Sequence, residues 1–145
     1  MKTQYVVGLL FSVDRHGVAL IRKTKPKWQA GMLNGVGGHV EPGEAAPQAM
    51  VREFREEPGT EVTAWELFAT LTGPDFEIRF YSAFDDAAIR AVATTTEEAV
   101  ERWPVKAALA GQDLIPNLRV LIPLALDQTG IKKPVHLIDE VRAAS

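Results

Sequence analysis

Residues 47–57 have the clearest helical composition in this sequence, and they lie between apolar, β-rich runs. Pro47 is tolerated in the first turn of a helix, and the pair Pro58-Gly59 supplies a stop signal. Strands before and after one well-marked helix, with further helical segments late in the chain, favour a layered arrangement. The sequence therefore predicts an α/β fold in which helices pack on a mixed β-sheet.

The remaining segments fill in this outline. Strands are expected at residues 5–13, 18–21, 67–71, 76–84 and 100–105, where apolar or alternating runs are bounded by turn signals. Helices are expected at 105–110 and 117–126. Residues 85–98 are poorly patterned and predict a loop with a helical piece. For residues 131–141 a strand, a short helix and an interface segment all remain open.

Length and composition narrow the class of protein. A chain of 145 residues corresponds to about one domain, so residues 1–145 are expected to form a single unit. There is no cysteine, which excludes a disulfide scaffold, a thiol nucleophile and a cysteine-based zinc site. The net charge of −3 provides no general field to hold a nucleic-acid polymer or an anionic membrane. Binding of a polyanionic substrate must therefore depend on a local source of positive charge, either a metal ion or a small basic patch.

The apolar run near the amino terminus is too short to span a bilayer. It is expected to be a core strand rather than a membrane segment or a signal peptide. The expected location is cytoplasmic.

Three acidic residues stand out in the predicted helix. At about 100° per residue, Glu53, Glu56 and Glu57 fall within an arc of roughly 100° on one helix surface. They continue the stripe that the apolar residues of the first half mark as inward. Arg52 and Arg55 are expected on the other side of the helix, where they would not neutralise this arc.

Like charges at this spacing repel one another and raise each other's pKa values. Such a cluster is reasonable if a divalent cation lies among the carboxylates. Carboxylate oxygens suit Mg²⁺, which usually keeps several waters and shares its coordination shell with substrate phosphates. The alternative is a solvated acidic face.

The segment before the helix, residues 34–43, is dense in glycine. Glycine lets the backbone turn sharply or approach a ligand closely, and a helix amino terminus favours phosphate. The dinucleotide fingerprint fails because Val40 stands where a third glycine is needed, and no Gly-Lys-Ser/Thr is present. A plain tight turn is the alternative for this segment.

Segment and helix together resemble a known signature. Gly38, five residues, Glu44, seven residues and then Arg52-Glu53-Phe54-Arg55-Glu56-Glu57-Pro58-Gly59-Thr60 resemble the Nudix box, with every charged and glycine position filled. The resemblance implies a Nudix-type α/β/α sandwich. It also implies a hydrolase of a nucleoside diphosphate linked to a further group, with Mg²⁺ or Mn²⁺ as cofactor.

Two positions depart from the commonest form of the box. Thr60 replaces a bulky aliphatic residue, and Pro58 follows Glu57 directly. Because proline disfavours the α region for its predecessor, the placement of Glu57 is less fixed than that of Glu53.

The resemblance also implies roles for single residues. Glu53, Glu56 and Glu57 would hold metal or activate water, with Glu53 acting as base or ligand. A backbone carbonyl of Gly37 or Gly38 would complete part of the metal shell.

Further roles come from the same resemblance. Glu44 and Arg52 would form the pair that orients the helix. A carboxylate outside the box often joins the site, and among Glu97 and Glu98 the similarity to MutT-type members favours Glu98 as a metal ligand. The alternative for Glu98 is an acid at a helix start, favoured by the helix dipole.

Several residues are candidates for substrate binding. Lys23 could hold outer phosphates, with a solvated basic loop as the alternative, and the backbone at Gly38 would lie near phosphate. Trp28 could stack on a base, whereas Phe80 is expected in the core. Asn117 could read a purine edge through its amide, with N-capping of the last helix as the alternative.

The leading hypothesis is Mg²⁺-dependent hydrolysis of a nucleoside triphosphate, with an oxidised purine deoxynucleotide as one candidate, to a nucleoside monophosphate and pyrophosphate. An alternative enzyme cleaves ADP-ribose or another dinucleoside-type diphosphate. A third hypothesis is a non-catalytic Nudix module that senses a nucleotide. The expected partner is a small nucleoside diphosphate derivative, not a nucleic-acid polymer or a membrane, and a homodimer remains open.

Overall fold

The computed structural model describes residues 2–140, and within this range one mixed sheet forms the centre of the molecule. Its strands are β1 Thr3–Phe11, β2 Gly17–Arg22, β3 Leu33–Asn34, β4 Val36–His39, β5 Glu66–Thr72, β6 Phe76–Phe84, β7 Val100–Pro104 and β8 Val135–Ile138. The helices are α1 Ala46–Glu56, α2 Asp86–Ala91, α3 Val105–Ala110 and α4 Leu118–Leu126.

The sheet follows the order β3-β2-β1-β6-β5-β8, with β4 paired to β1 and β7 paired to β2. Strands β1 and β6 run parallel, as do β5 and β8, and the other pairs are antiparallel. The predicted mixed sheet is therefore confirmed.

Helices cover both faces of this sheet. On one face, Met50 and Phe54 of α1 and Ile89 of α2 belong to a buried cluster with inward residues of β1 and β2. On the other face, buried residues of α3 and α4 pack with Phe68 and Phe80. This arrangement is the expected α/β/α sandwich, and Phe80 lies in the core as predicted.

Most predicted elements are present, with two informative differences. Residues 36–39 were expected to turn, but they form β4, which pairs antiparallel with β1. Residues 135–138 form β8, which answers the open question for part of the segment 131–141, while Val141 lies outside the described residues. None of the helices within residues 2–140 has the length and apolar composition needed to cross a membrane.

Helix α1 carries the acidic residues, and its two ends are defined by local chemistry. At its start the Gln48 side chain accepts a hydrogen bond from the Ala45 N–H at 3.0 Å. Its buried residues Ala49, Met50 and Phe54 fix which face meets the sheet. The chain leaves the helix through Pro58 and then Gly59, whose φ of +75° is a conformation that favours glycine.

Candidate active site

A cleft of about 960 Å³ opens where β4 meets the second half of α1. Most of the side chains singled out from the sequence line it. These are Lys23, Trp28, Gly37, Gly38, Arg52, Glu53, Glu56, Glu57 and Glu98. Glu44 and Asn117 are not among the lining residues.

The glycines of β4 bring bare backbone against the acids of α1. A Cβ atom at Gly38 would overlap the carboxylate of Glu53, and one at Gly37 would overlap the backbone carbonyl of Val6 on β1. Both positions therefore require glycine, for different reasons: Gly38 for the carboxylate and Gly37 for strand pairing. The result is a ribbon of backbone in close contact with Glu53.

Glu53 and Glu57 are the two carboxylates that α1 turns inward. The Glu53 side chain is 12% exposed, and burial raises its pKa against the opposing effect of Arg52. Burial, with the charge of Glu53 next, raises the pKa of Glu57 to about 7. One oxygen of Glu57, Oε2, is buried and has no hydrogen-bond partner in the part of the chain that is described. These two acids form an electrostatically unfavourable pair that a cation would relieve.

Glu56 is more exposed than the inward acids Glu53 and Glu57. Its side chain is 58% exposed and its Oε2 lies 3.3 Å from Arg52 Nη1. Accordingly, no group of three acidic or histidine side chains within residues 2–140 is already arranged to hold a metal ion. Glu56 lines the cleft but is more exposed than Glu53, and the prediction that all three glutamates hold a metal ion stays a prediction.

The donors that remain still fit Mg²⁺. Glu53 and Glu57 offer hard carboxylate oxygens, and the unpartnered oxygen of Glu57 is the kind of atom a cation would satisfy. Mg²⁺ is commonly bound through one or two carboxylates together with substrate phosphates, rather than in a complete protein cage. The residues present therefore suit an ion that is shared with a phosphorylated ligand.

Arg52 lies at the centre of an ion-pair network. Its Nε and Nη2 donate to the two oxygens of Glu44 at 2.8 and 2.9 Å, which is a bidentate pair. Its Nη1 donates to Glu53 at 3.0 Å and to Glu56 at 3.3 Å, and its Nη2 also donates to the carbonyl of His39. The expectation that Arg52 would not neutralise the acidic arc is wrong, because its long side chain folds back along the helix surface.

Glu98 lines the same cleft and is 7% exposed. Its oxygens accept hydrogen bonds from Lys23 Nζ at 3.0 Å, from Thr24 N at 2.5 Å and Oγ1 at 3.1 Å, and from Lys25 N at 3.4 Å. Burial opposes ionisation, but these donors outweigh it and hold the pKa of Glu98 below its usual value. The helix-start alternative for Glu98 is wrong, since the element that follows is β7.

Trp28 and Asn117 occupy contrasting positions. Trp28 lies in a short 3-10 turn, Lys27–Gln29, lines the cleft and is 67% exposed as a residue. Asn117 directly precedes α4, but its side chain forms no capping hydrogen bond, and its buried Oδ1 has no partner among the described residues. The structure therefore brings Trp28, and not Asn117, to the cleft.

Thr95 supports the helix that carries the site, and sequence reasoning missed it. Its hydroxyl donates to the backbone carbonyl of Glu56 at 2.7 Å and also to that of Glu57. These carbonyls belong to the last residue of α1 and to the C-cap that follows it, and carbonyls at a helix end have no intrahelical partner. The run Thr94-Thr95-Thr96 is visible in the sequence, but no local rule places it against a helix more than thirty residues earlier.

The NUDIX domain family model matches residues 2–123 of the chain. The chain therefore belongs to the NUDIX family, as the resemblance of residues 38–60 predicted.

Three relatives illustrate the range of similarity. The CTP pyrophosphohydrolase of Escherichia coli strain K12 is 42% identical over 71 residues, which are 48% of this chain and 51% of that protein. The chain thus spans about half the length of this curated relative. A NUDIX hydrolase structure from Nitrosomonas europaea has a TM-score of 0.75 at 16% identity, covering 97% of this chain and 80% of that one. A MutT structure, from work on the Aliivibrio salmonicida and Vibrio cholerae proteins, has a TM-score of 0.71 at 23% identity, covering 84% and 94%.

A fourth similar structure carries a ligand in its description. The NUDIX domain of Shewanella oneidensis NrtR, complexed with ADP ribose, has a TM-score of 0.67 at 19% identity, covering 86% of each chain. At these identities the solved structures establish the fold of this protein, and they confirm the predicted α/β/α sandwich.

Proposed function

We propose that this protein is a Mg²⁺-dependent pyrophosphohydrolase that cleaves a nucleoside triphosphate to a nucleoside monophosphate and pyrophosphate. The observation that carries the proposal is the pair of inward carboxylates, Glu53 and Glu57, set against the glycine backbone of β4 in an open cleft. A buried pair of acids whose pKa values are both raised has little structural value by itself. It becomes useful where a divalent ion and phosphates enter the same space. Mn²⁺ is a second suitable ion.

Glu53 and Glu57 would hold the metal ion, with the Gly37 carbonyl and Glu56 as further ligands. When bound, the ion would neutralise charge on the phosphate oxygens and lower the pKa of bound water. Glu98 is not included in this set, because both of its oxygens already accept hydrogen bonds from the protein.

The residues of this chain then supply positioning and proton transfer. A water oxygen forms a bond to the α- or the β-phosphorus, and the bond from that phosphorus to the oxygen that bridges the two breaks. The group that leaves with this oxygen is pyrophosphate for attack at the α-phosphorus and the nucleoside monophosphate for attack at the β-phosphorus. The proton lost by the water passes to a carboxylate, and Glu53 and Glu57 divide this task and metal binding between them. Arg52, anchored on Glu44, keeps the Glu53 carboxylate pointed at the Gly38 backbone.

Two observations bear on the substrate, one on the triphosphate and one on the base. The E. coli relative is a CTP pyrophosphohydrolase, which supports a triphosphate and adds a cytidine nucleotide to the oxidised purine as a candidate. The oxidised purine came from the resemblance to MutT-type enzymes, and Asn117, the candidate for reading a purine edge, does not line the cleft. Both bases therefore belong in the test.

The direct test is an assay of the purified protein with Mg²⁺ against CTP, dCTP, dGTP, 8-oxo-dGTP and ADP-ribose, with separate quantification of pyrophosphate and nucleotide products. We expect a nucleoside monophosphate and pyrophosphate in equal amounts from at least one triphosphate, and no reaction in EDTA. Absence of pyrophosphate from every triphosphate would refute the proposal.

ADP-ribose is the second candidate substrate. The similar NUDIX domain of NrtR is complexed with ADP ribose, which supports an ADP-ribose derivative as ligand. Release of AMP from ADP-ribose, with triphosphates untouched, would reverse the ranking. Binding of ADP-ribose without any cleavage would favour the sensing module instead.

A further inference from the structure

The carboxylate of Glu98 is one of few polar side chains buried among residues 2–140, and all its hydrogen-bond donors come from one short segment. This segment, residues 23–28, is called here the basic loop. Oε1 accepts from Lys23 Nζ, while Oε2 accepts from the backbone N–H groups of Thr24 and Lys25 and from the Thr24 hydroxyl. A buried carboxylate is tolerated when it is paired and hydrogen-bonded in this way.

These contacts leave Glu98 little capacity for another cation. A carboxylate has about four lone-pair sites, and four donors already point at Glu98. The Lys23 ammonium is one of them, with side-chain exposures of 19% for Lys23 and 9% for Glu98. A metal ion at Glu98 would have to displace this built-in positive charge and release the loop.

The basic loop is also a wall of the cleft. Lys23 and Trp28, at its two ends, both line it. The loop start is further fixed by Lys23, whose N–H donates to Met32 and whose carbonyl accepts from Gly31, both at 2.8 Å. Glu98 adds the attachment at Thr24 and Lys25, one residue before Pro26 turns the chain toward Trp28.

We propose that Glu98 is a positioning residue that anchors the basic loop, and that it is not a ligand of the metal ion. By holding the loop, Glu98 fixes the positions from which Lys23 and Trp28 contact the substrate. The proposal rests on the proposed function, because it assumes that the cleft receives a phosphorylated substrate. It assigns Glu98 differently from the role that MutT-type resemblance implies.

The first test uses the unaltered protein. Hydrogen exchange at the amides of Thr24 and Lys25, followed by NMR, reports directly on their bonds to Glu98. We expect both amides to be protected without metal and to stay protected when Mg²⁺ is added to saturation. Exchange that accelerates about tenfold or more on addition of Mg²⁺ would mean that the ion takes Glu98 from the loop, which overturns the proposal.

The second test compares Glu98→Ala with Glu97→Ala. Glu97 is the adjacent, 71% exposed acid, which has only a 3.7 Å contact with Lys25. In Glu98→Ala the Thr24 and Lys25 amides should exchange about tenfold faster, while Mg²⁺ affinity by calorimetry stays within about twofold of the parent. KM for the triphosphate should rise about tenfold with kcat within about threefold, the pattern of lost substrate positioning. Glu97→Ala should change none of these.

A fall of about tenfold or more in the Mg²⁺ affinity of Glu98→Ala would assign Glu98 to the metal and overturn the proposal, whatever the amides do. If that variant does not fold, Lys23→Met gives a separate answer. Removing the ammonium frees Oε1 but keeps the two backbone donors. The anchor predicts that the Thr24 and Lys25 amides of Lys23→Met stay protected when Mg²⁺ is added, whereas a latent metal ligand would leave the loop and their exchange would accelerate about tenfold.

The amide measurements need neither nucleotide nor turnover. A protein that released no pyrophosphate would fail the proposed function, yet the exchange rates of Thr24 and Lys25 in the parent and in Glu98→Ala would still decide whether Glu98 anchors the loop.

Discussion

At the scale of single residues, Glu57 is the acid whose ionisation the fold opposes most clearly. Its pKa is raised from 4.5 to about 7, because of burial first and the charge of Glu53 second. The folded protein therefore binds this proton more tightly than the unfolded chain does. It follows that this stabilising contribution is fully present below pH 4.5 and is lost as the pH rises through about 7.

Glu57→Gln removes this titration. In EDTA at pH 8 we expect the variant to have a free energy of unfolding about 1–2 kcal/mol above that of the parent, a value reduced for partial exposure. Near pH 4.5 the two should be almost equal. Urea unfolding at both pH values measures the difference, with exposed Glu97→Gln as control. A difference in the free energy of unfolding that does not change with pH would show that the pKa of Glu57 is not raised in the folded protein.

Glu53 has the most direct role in the proposed chemistry. Glu53→Gln keeps the shape of the side chain but removes its charge and basicity. We expect turnover to fall by about 10²–10⁴ with the fold retained, as for loss of a catalytic acid–base group. Initial rates and circular dichroism provide the measurement, and Glu61→Gln, an exposed acid paired with Arg55 outside the cleft, is the matched control. Unchanged turnover in Glu53→Gln would remove Glu53 from the mechanism.

At the scale of elements, β4 contributes backbone alone to the cleft, and its two glycines can be separated by mutation. A methyl at Gly37 meets rigid backbone of Val6, whereas one at Gly38 meets the end of the Glu53 side chain. Gly37→Ala should therefore lower the free energy of unfolding by about 1–3 kcal/mol, as overpacking does. Gly38→Ala should lower it less, but should reduce turnover about tenfold or more by displacing Glu53.

Thermal or urea unfolding together with initial rates checks this pair. Equal stability loss in both variants, or full activity in Gly38→Ala, would contradict the close packing of Glu53 against β4.

The end of α1 depends on a contact from a distant loop. Thr95→Ala removes a donor from the carbonyls of Glu56 and Glu57, and it should cost about 1 kcal/mol of stability. Thr95→Ser keeps the hydroxyl and should recover most of this loss, as measured by urea unfolding. If serine and alanine behave alike, the hydroxyl does not hold the helix end.

Elements marked by local pattern were predictable from the sequence. Residues 76–84 coincide with β6, and the expected helix at 47–57 differs from α1 by one residue at each end. Strand β4 was missed because glycine has little strand propensity, and its pairing with β1 is a tertiary interaction. Propensity carries no information about such a partner.

The candidate site also has a part that local pattern predicts and a part that depends on tertiary contacts. Helical spacing was sufficient to place Glu53 and Glu57 on one inward face, because that relation is local. The contact of Lys23 with Glu98 joins residues 75 apart in the chain and exists only because β7 pairs with β2. Likewise, the reach of Arg52 to Glu44 and Glu56 depends on a side-chain conformation that sequence spacing does not specify.

At the scale of the whole molecule, the sheet brings six separate segments to one cleft. Strand β1 pairs with β4 on one side and with β6 on the other, and α1 packs across this region. The end of β2 and the start of β7 then bring the basic loop and Glu98 to the same cleft. The cleft therefore combines the carboxylates of α1 with the lysines of the basic loop, an arrangement that suits a metal ion and the phosphates it would neutralise.

The most direct test of this account is calorimetric titration of Mg²⁺ into the protein in the presence of a non-hydrolysable triphosphate analogue. We predict Mg²⁺ binding by the parent, an affinity about tenfold or more weaker in Glu53→Gln and Glu57→Gln, and an unchanged affinity in Glu97→Gln. No uptake of Mg²⁺ by the parent, or equal affinity in all four proteins, would contradict the claim that the inward acids of α1 bind a divalent cation.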